Sequence, residues 1–453
     1  MRLKTKISLL LGCVVVGVAG CNGSSSSDEP EPPIYKPKEL ELISKENQLP
    51  ETDWQHFIFY GQSLSVGIQS KPAITIESKY DSLTFKSGPK STMEGSVGYN
   101  PGMDDFKPLI EDELWGDMPN AYHHGETPSS GLSDGVIELS KKDNGIDWRS
   151  DNKQLFVNTA GLGSASIRGL LPGGSSHEGE WWLNVVNSVE QAYRLAMMQG
   201  KSYSLHGMGW IQGEGDSLGL TYDAYKKNLV KMHDAIQQLS EDITGLSHPV
   251  SFFTYQTYGR SGQADNIPQA QLDFANENEN VYLATPIYHL PLAHDGHLSN
   301  AGSYLLGRYF ARSYKYVSVD KAKSQWINPI SATLDNDVII VKYDVPKPPL
   351  VLDTVNMART DDHGFRVVDE SGTVLLDGIS VINGSEVHLK LARELSGSAV
   401  VRYAFDYIGD GLVNYATSAS GNLRDSEPET VMFNGVRYPL FNVAPHHKLS
   451  VIK

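Results

Sequence analysis

Trp54-Gln55-His56-Phe57-Ile58-Phe59-Tyr60 runs without a break into Gly61-Gln62-Ser63. A short apolar run rich in aromatic residues, closed by glycine, reads as a buried strand with a tight exit. Outward from it the pattern recurs. Gln154–Thr159 reads as a strand ending in Ala160-Gly161-Leu162-Gly163, and Tyr203–Ile211, Pro249–Tyr255 and Val281–Pro286 read as further strands. Helical patterns stand between and after them, at 131–142, 182–199, 222–239, 268–276 and 300–314; Val185, Val189, Tyr193 and Ala196 carry the spacing of the second. Strands alternating with helices imply an α/β fold, a three-layer parallel sheet whose ligands bind at the carboxyl ends of the strands. Residues 70–130, rich in Gly, Pro and charge, read as an elaborated loop region.

The texture changes near residue 323. Val338–Tyr343, Phe365–Val368, Val387–Leu391 and Val400–Phe405 are short β-rich runs separated by Gly, Asn and Asp turns. They predict a small all-β sandwich at 323–453, following an α/β domain at 51–322.

The first residues read differently again. Arg2, Lys4 and Lys6 precede an apolar run from Ile7 to Val18, then Val18-Ala19-Gly20-Cys21. A positive start and a short apolar stretch make a signal peptide, too short for a comfortable membrane span. The ending resembles a bacterial lipobox, which implies cleavage and lipidation at Cys21. On this reading 1–21 is a lipoprotein signal peptide and 22–50, opening on the Ser- and Pro-rich run Asn22–Pro33, is a tether. The chain would be exported and lipid-anchored in the outer membrane or at the cell surface of a Gram-negative bacterium. Cys13 lies in the discarded segment, so no disulfide, Cys-based zinc site or Cys nucleophile is expected. A formal charge of −16 and the lack of a basic stripe argue against nucleic-acid partners.

Three clusters at strand ends can carry chemistry. A serine such as Ser63 attacks esters when a base takes its proton and donors hold the oxyanion. In Trp210-Ile211-Gln212-Gly213-Glu214-Gly215-Asp216, the Gln212 amide offers neutral N–H donors and Glu214 can orient a partner. Asp216 or Ser217 can also cap the next helix. In Asp295-Gly296-His297 the histidine suits a general base and the carboxylate suits its orienter. Each cluster alone is also ordinary loop chemistry.

Taken in order, the clusters resemble the SGNH (GDSL-like) hydrolase superfamily, in the branch of sialate O-acetylesterases and acetylxylan-type carbohydrate esterases. Gly61-Gln62-Ser63-Leu64-Ser65 is similar to the family's nucleophile block. Trp210, Gln212, Gly213, Glu214 and Asp216 match its Trp-x-Gln-Gly-Glu-x-Asp block, and Ala160–Ile167 is similar to its Gly-rich turn. The resemblance covers roughly residues 53–316. It implies a flavodoxin-like hydrolase fold and a serine esterase acting on acetylated carbohydrate. The implied roles are Ser63 as nucleophile, His297 as base, Asp295 as orienter, and Ser63, Gly163 and Gln212 as oxyanion donors, with Gln62 and Glu214 supporting. No metal or other cofactor is implied. The sequence departs from the family at Leu64, where the sialate esterase pattern has Asn, and at Asp295. Many members have Asp three residues before the histidine; here His294 stands there, and Glu214 is the next candidate orienter.

Other signals compete. Gly215-Asp216-Ser217-Leu218-Gly219 spells a G-x-S-x-G elbow, making Ser217 a minority nucleophile. Ser87-Gly88-Pro89-Lys90 fits S-x-x-K, but Gly-Pro breaks the helix that pairing needs. His123-His124 and His446-His447 lack helical metal-site spacing. Trp181, Trp182 and Tyr258 are candidate sugar platforms or core. A lipase or thioesterase on the same scaffold, or an inactive carbohydrate-binding lipoprotein, stand as alternatives.

Overall fold

The computed structural model describes residues 33–91, 100–115, 118–119, 124–173, 180–217, 219–257, 265–293, 296–405 and 421–453. Cys21 and the lipobox expected around it, and likewise His123, Leu218, Tyr258, His294 and Asp295, lie outside the described residues.

Five parallel strands form the centre of a seven-stranded sheet: β1 (Trp54–Gly61), β2 (Gln154–Thr159), β3 (Tyr203–Ile211), β4 (Ser251–Gln256) and β5 (Val281–Pro286). Their spatial order is β2-β1-β3-β4-β5, extended beyond β2 by the short strands Leu83–Phe85 and Phe106–Pro108, the last antiparallel. The long helices among the described residues are α1 (Pro128–Asn144), α2 (Trp182–Met198), α3 (Tyr222–Thr244), α4 (Asn266–Glu277) and α5 (Asn300–Ser318).

Side-chain alternation along β1 explains the layering. Phe57 and Phe59 enter an apolar cluster with Leu132 and Val136 of α1 and Leu306 and Phe310 of α5. Ile58 and Tyr60 point the other way, into a cluster with Val185 of α2, Leu229 of α3 and Phe274 of α4. Each such side chain withdrawn from water contributes about 2 kcal/mol. With both faces covered, every residue of β1 is buried, so its polar members need partners. His56 Nε2 donates to Asn158 Oδ1 and Nδ1 accepts from the Tyr203 hydroxyl, each at 2.7 Å, which ties β1 to both neighbours.

Glycine decides how closely α1 and α5 pack. A Cβ on Gly131 would sit 2.0 Å from the Tyr304 carbonyl oxygen, and one on Gly307 would sit 2.1 Å from that of Pro128. The helices therefore meet at backbone contact.

Beyond α5 an eight-stranded sheet spans strands from Asn328–Asp335 to His447–Ile452. Burial alternates along Val338–Asp344, Glu386–Leu391, Phe365–Asp369 and Ala399–Tyr403, so one face is covered. His447–Ile452 passes between the two halves. Residues 447–450 pair with Ala399–Tyr403, and residues 451–452 pair in parallel with Asn328–Asp335. Its apolar residues join the same core cluster as α1 and α5, and Lys36–Lys453 forms one compact unit. Tyr304 stacks on Phe433 with ring centroids 4.3 Å apart, and Arg312 of α5 donates to Glu429 Oε2 at 2.9 Å and to the Leu440 carbonyl at 2.6 Å.

Candidate active site

The carboxyl ends of β1, β2 and β3 and the segment after β5 converge at one edge of the sheet. The strand order reverses beside β1, and such a switch point opens a crevice for ligand.

Gly61 makes the turn out of β1 possible. Its φ is +151°, and a Cβ there would lie 1.9 Å from the Ile211 carbonyl oxygen of β3. That oxygen accepts from the Gln62 N–H at 2.8 Å. Ser63 then opens a single 3-10 turn, Ser63–Val66, closed by Gly67 with φ +68°. The turn is tied down by the Ser65 hydroxyl donating to the Gln62 carbonyl at 2.6 Å and the Ile68 N–H donating to that of Ser63 at 3.1 Å. Ser63 is 7% exposed, so its hydroxyl sits in a recess.

His297 comes from the other side. The described residues on either side of 294–295 are drawn together, with the Ala293 N–H donating to the His297 carbonyl at 2.7 Å and the Ser299 N–H to that of Pro291 at 3.0 Å. Ser299 caps α5 by accepting from Gly302 N–H. The Ser70 hydroxyl donates to the Leu298 carbonyl at 2.9 Å, joining the serine loop to the histidine loop. The outcome is an Nε2–Oγ distance of 3.0 Å between His297 and Ser63, hydrogen-bond reach for proton transfer.

Glu214 lies on the 3-10 turn Glu214–Asp216 that follows β3. Its carboxylate accepts from the Tyr255 hydroxyl at 2.6 and 2.5 Å and from the Thr257 hydroxyl at 2.6 Å. Burial raises its pKa above the usual carboxylate range; those hydrogen bonds and the nearby His297 act in the opposite direction. Tyr255 and Thr257 were not foreseen from the sequence. The available signal was two hydroxyl residues two positions apart at a strand end, which share a face.

Gln62 bridges the two turns: its Oε1 accepts from the N–H groups of Gly215 at 2.9 Å and Gly213 at 3.4 Å. Gln212 differs from the expectation of a free amide donor. Its Nε2 donates to Asp216 Oδ2 at 2.6 Å and to the Ala165 carbonyl at 3.2 Å, while its Oε1 accepts from the Tyr225 hydroxyl at 2.9 Å. A fully buried amide must satisfy its own polar atoms, and here it does so by holding the 165–167 loop. That loop's helical turn is capped by Ser166 and held from outside by Asp216, which accepts from the Ile167 N–H at 2.6 Å; helix α3 is capped by Thr221. Among the described residues the backbone N–H groups of Ser63 and Gly163 donate to no protein acceptor. Gly163 belongs to the loop whose Leu162 N–H donates to the Gly61 carbonyl at 2.9 Å.

The competing residues are otherwise engaged. The Ser217 hydroxyl donates to the Glu214 carbonyl at 2.9 Å. Trp182 is a core residue packed edge-on against Tyr60, and Trp181 is partly exposed beside Gly169. Lys90 is buried and donates to the carbonyls of Asp112 and Gly125. His446 and His447 are buried, and burial holds His446 down at about 3 and His447 at about 4.

No family model matches the sequence, and no curated protein matches it. Among solved structures, the chain is similar to a carbohydrate acetylesterase from Xanthomonas citri, with a TM-score of 0.53 and 12% identity over 82% of this chain and 77% of that one. A protein from Arabidopsis thaliana aligns with a TM-score of 0.39 and 16% identity, over 58% of this chain and 98% of that one. The likeness to the Xanthomonas enzyme is one of fold.

Proposed function

We propose that this chain is a serine esterase of the SGNH type that removes acetyl or similar short acyl groups from carbohydrate. The observation that carries the reading is the 3.0 Å approach of His297 Nε2 to Ser63 Oγ, at the carboxyl ends of the strands where, among the described residues, the N–H groups of Ser63 and Gly163 donate to no protein acceptor. The Xanthomonas acetylesterase fold supports carbohydrate as the substrate class.

The chemistry follows in two steps. His297 takes the Ser63 hydroxyl proton as Oγ bonds to the ester carbonyl carbon. The N–H groups of Ser63 and Gly163 hold the oxyanion, a contribution of about 3 kcal/mol per donor in comparable sites. Gln212 supports this hole by anchoring the 165–167 loop. The carbon–oxygen bond to the sugar then breaks, and His297 returns the proton to the departing alcohol. Water, deprotonated by His297, attacks the acyl carbon; the bond to Ser63 Oγ breaks, His297 returns the proton to Oγ, and the acid is released. A carboxylate beside the imidazolium stabilises it; Asp295 has that role in this reading, and the bracketed Glu214 adds a charge interaction with His297. The mature protein is exported and lipidated at Cys21, which Cys21→Ala and fatty-acid labelling would test.

Deacetylation of a panel of acetylated polysaccharides by wild type, Ser63→Ala, His297→Ala and Ser217→Ala tests the assignment. Ser63→Ala and His297→Ala should each lose about 10³-fold or more in turnover, and Ser217→Ala should stay near wild type. A dead Ser217→Ala beside a live Ser63→Ala would overturn it. Preference for long-chain esters would move the protein to a lipase or thioesterase, and binding without turnover would make it a carbohydrate-binding lipoprotein.

A further inference from the structure

One short run of the C-terminal β region, Phe441–His446, is gripped by side chains from the segments that build the site. The Gln256 amide, at the end of β4, takes both backbone polar atoms of His446: Oε1 accepts from its N–H at 2.7 Å and Nε2 donates to its carbonyl at 2.8 Å. The Tyr288 hydroxyl, on the segment leading to His297, donates to the Ala444 carbonyl at 2.7 Å. The Tyr309 hydroxyl of α5 donates to the Phe441 carbonyl at 2.9 Å and accepts from His289 Nε2 at 3.1 Å.

The positions of these tethers are informative. Gln256 lies between Tyr255 and Thr257, the two residues that hold Glu214, and its own carbonyl accepts from the Ile287 N–H at 3.2 Å where the histidine segment begins. Tyr288 and His289 open that segment, and α5 closes it. The run is itself held by its own sheet region, through Leu440 N–H to the Glu429 carbonyl at 2.9 Å and Ala444 N–H to that of Leu423 at 3.0 Å. Asn442 adds its side chain on Asp425 at 2.8 Å. A main-chain run fixed on one side and bonded by side chains on the other transmits position, because buried hydrogen bonds leave their partners little freedom.

We propose that Phe441–His446 is a platform that sets the position of His297 and of the Glu214 bracket, so that the C-terminal β region is a working part of the catalytic unit. This rests on the esterase reading above. Tyr288, Gln256 and Tyr309 are then positioning residues; none of them is asked to touch substrate.

Tyr288→Phe in the full chain tests it, with Tyr309→Phe as a second variant and Phe433→Leu as the control. Phe433→Leu weakens a contact between the same two regions, the stack on Tyr304, without touching the platform. Tyr288→Phe should lower kcat on p-nitrophenyl acetate by tenfold or more with KM within twofold, and Tyr309→Phe should lower kcat in the same way. Phe433→Leu should lower the melting temperature yet keep kcat within twofold. The platform is overturned if Tyr288→Phe keeps wild-type kcat, or if all three variants lose kcat in proportion to their loss of stability. Turnover that survives Ser63→Ala would instead sink the esterase reading, and the platform with it.

Discussion

Ser63 Oγ and His297 Nε2 lie 3.0 Å apart although 234 positions separate them in the chain. The two loops that carry them share a direct tether, Ser70 to Leu298, so the approach is built into the scaffold and does not wait for substrate. Preorganisation of this kind is what allows a weak nucleophile to work near neutral pH.

The exit from β1 has no room for a side chain. Gly61→Ala should destabilise the protein by about 3 kcal/mol or more, since its Cβ would overlap the Ile211 carbonyl at an unfavourable φ. Urea denaturation reads the stability, and turnover should fall with the displaced Ser63. A variant as stable and active as wild type would mean the turn can be rebuilt elsewhere.

Gln62 offers a subtler probe. Gln62→Leu keeps the volume but removes the acceptor shared by Gly213 and Gly215. The expected cost is about 1–3 kcal/mol, with a loss of kcat because the Ser63 and Glu214 turns come apart. Thermal melts and steady-state kinetics on one preparation measure both.

Arg312 joins α5 to the C-terminal β region while nearly buried, donating to Glu429, Leu440 and Asn442. Arg312→Met should cost about 1–3 kcal/mol, because Glu429 loses its direct hydrogen bond and, among the described residues, keeps only the 3.6 Å approach of Arg308. Changing both residues to apolar ones of similar volume should recover much of that loss, which a double-mutant cycle in urea would show.

Buried histidines set the acid limit. Burial pushes His56 and His447 down to about 4, and His206, His289 and His446 to about 3. The unfolded chain takes up these protons near pH 6.5 while the folded chain resists. Their contribution is therefore present above 6.5 and lost as pH falls towards 4, at up to about 1.4 kcal/mol per pH unit for each histidine. The urea midpoint should drop between pH 6.5 and 4.5, and an unchanged midpoint would contradict the buried, neutral state of these rings.

Glu111 works in the opposite direction. Burial, reinforced by repulsion from Glu126, pushes its carboxyl up to about 8. A raised carboxyl contributes stability that is complete below about 4.5 and lost as pH rises through 8. Glu111→Gln should thus match wild type near pH 4 and exceed it near pH 9 in a comparison of urea midpoints. A variant weaker at both pH values would show that the ionised form is the one the fold requires.

Much of the architecture was legible locally. Alternating apolar runs and helical spacing between Trp54 and Tyr314 imply a parallel sheet covered on both faces, because strand and helix periods are written in neighbouring residues. Short turn-bounded runs after residue 323 likewise announce strands. The three clusters at Ser63, Gln212 and His297 could be placed at strand ends for the same reason. Gln212 shows the limit: an amide's donors are visible in sequence, but its acceptors, Ala165 and Asp216, are chosen by how loops fold over one another.

The sequence by itself determined the five central strands and the five long helices, and that an alcohol and an amide sit where strands end and an imidazole just ahead of the last of those helices. Local periodicity and glycine placement suffice for that. It did not mark the short strands Leu83–Phe85 and Phe106–Pro108, nor Asn328–Asp335, Leu376–Ile382 and His447–Ile452. Only the tertiary structure decided that His297 reaches Ser63, that Tyr255 and Thr257 clasp Glu214, and that Phe441–His446 lies under the histidine segment. Those pairings join residues distant in the chain, and a hydrogen bond depends on distance and direction in space, which no local pattern encodes.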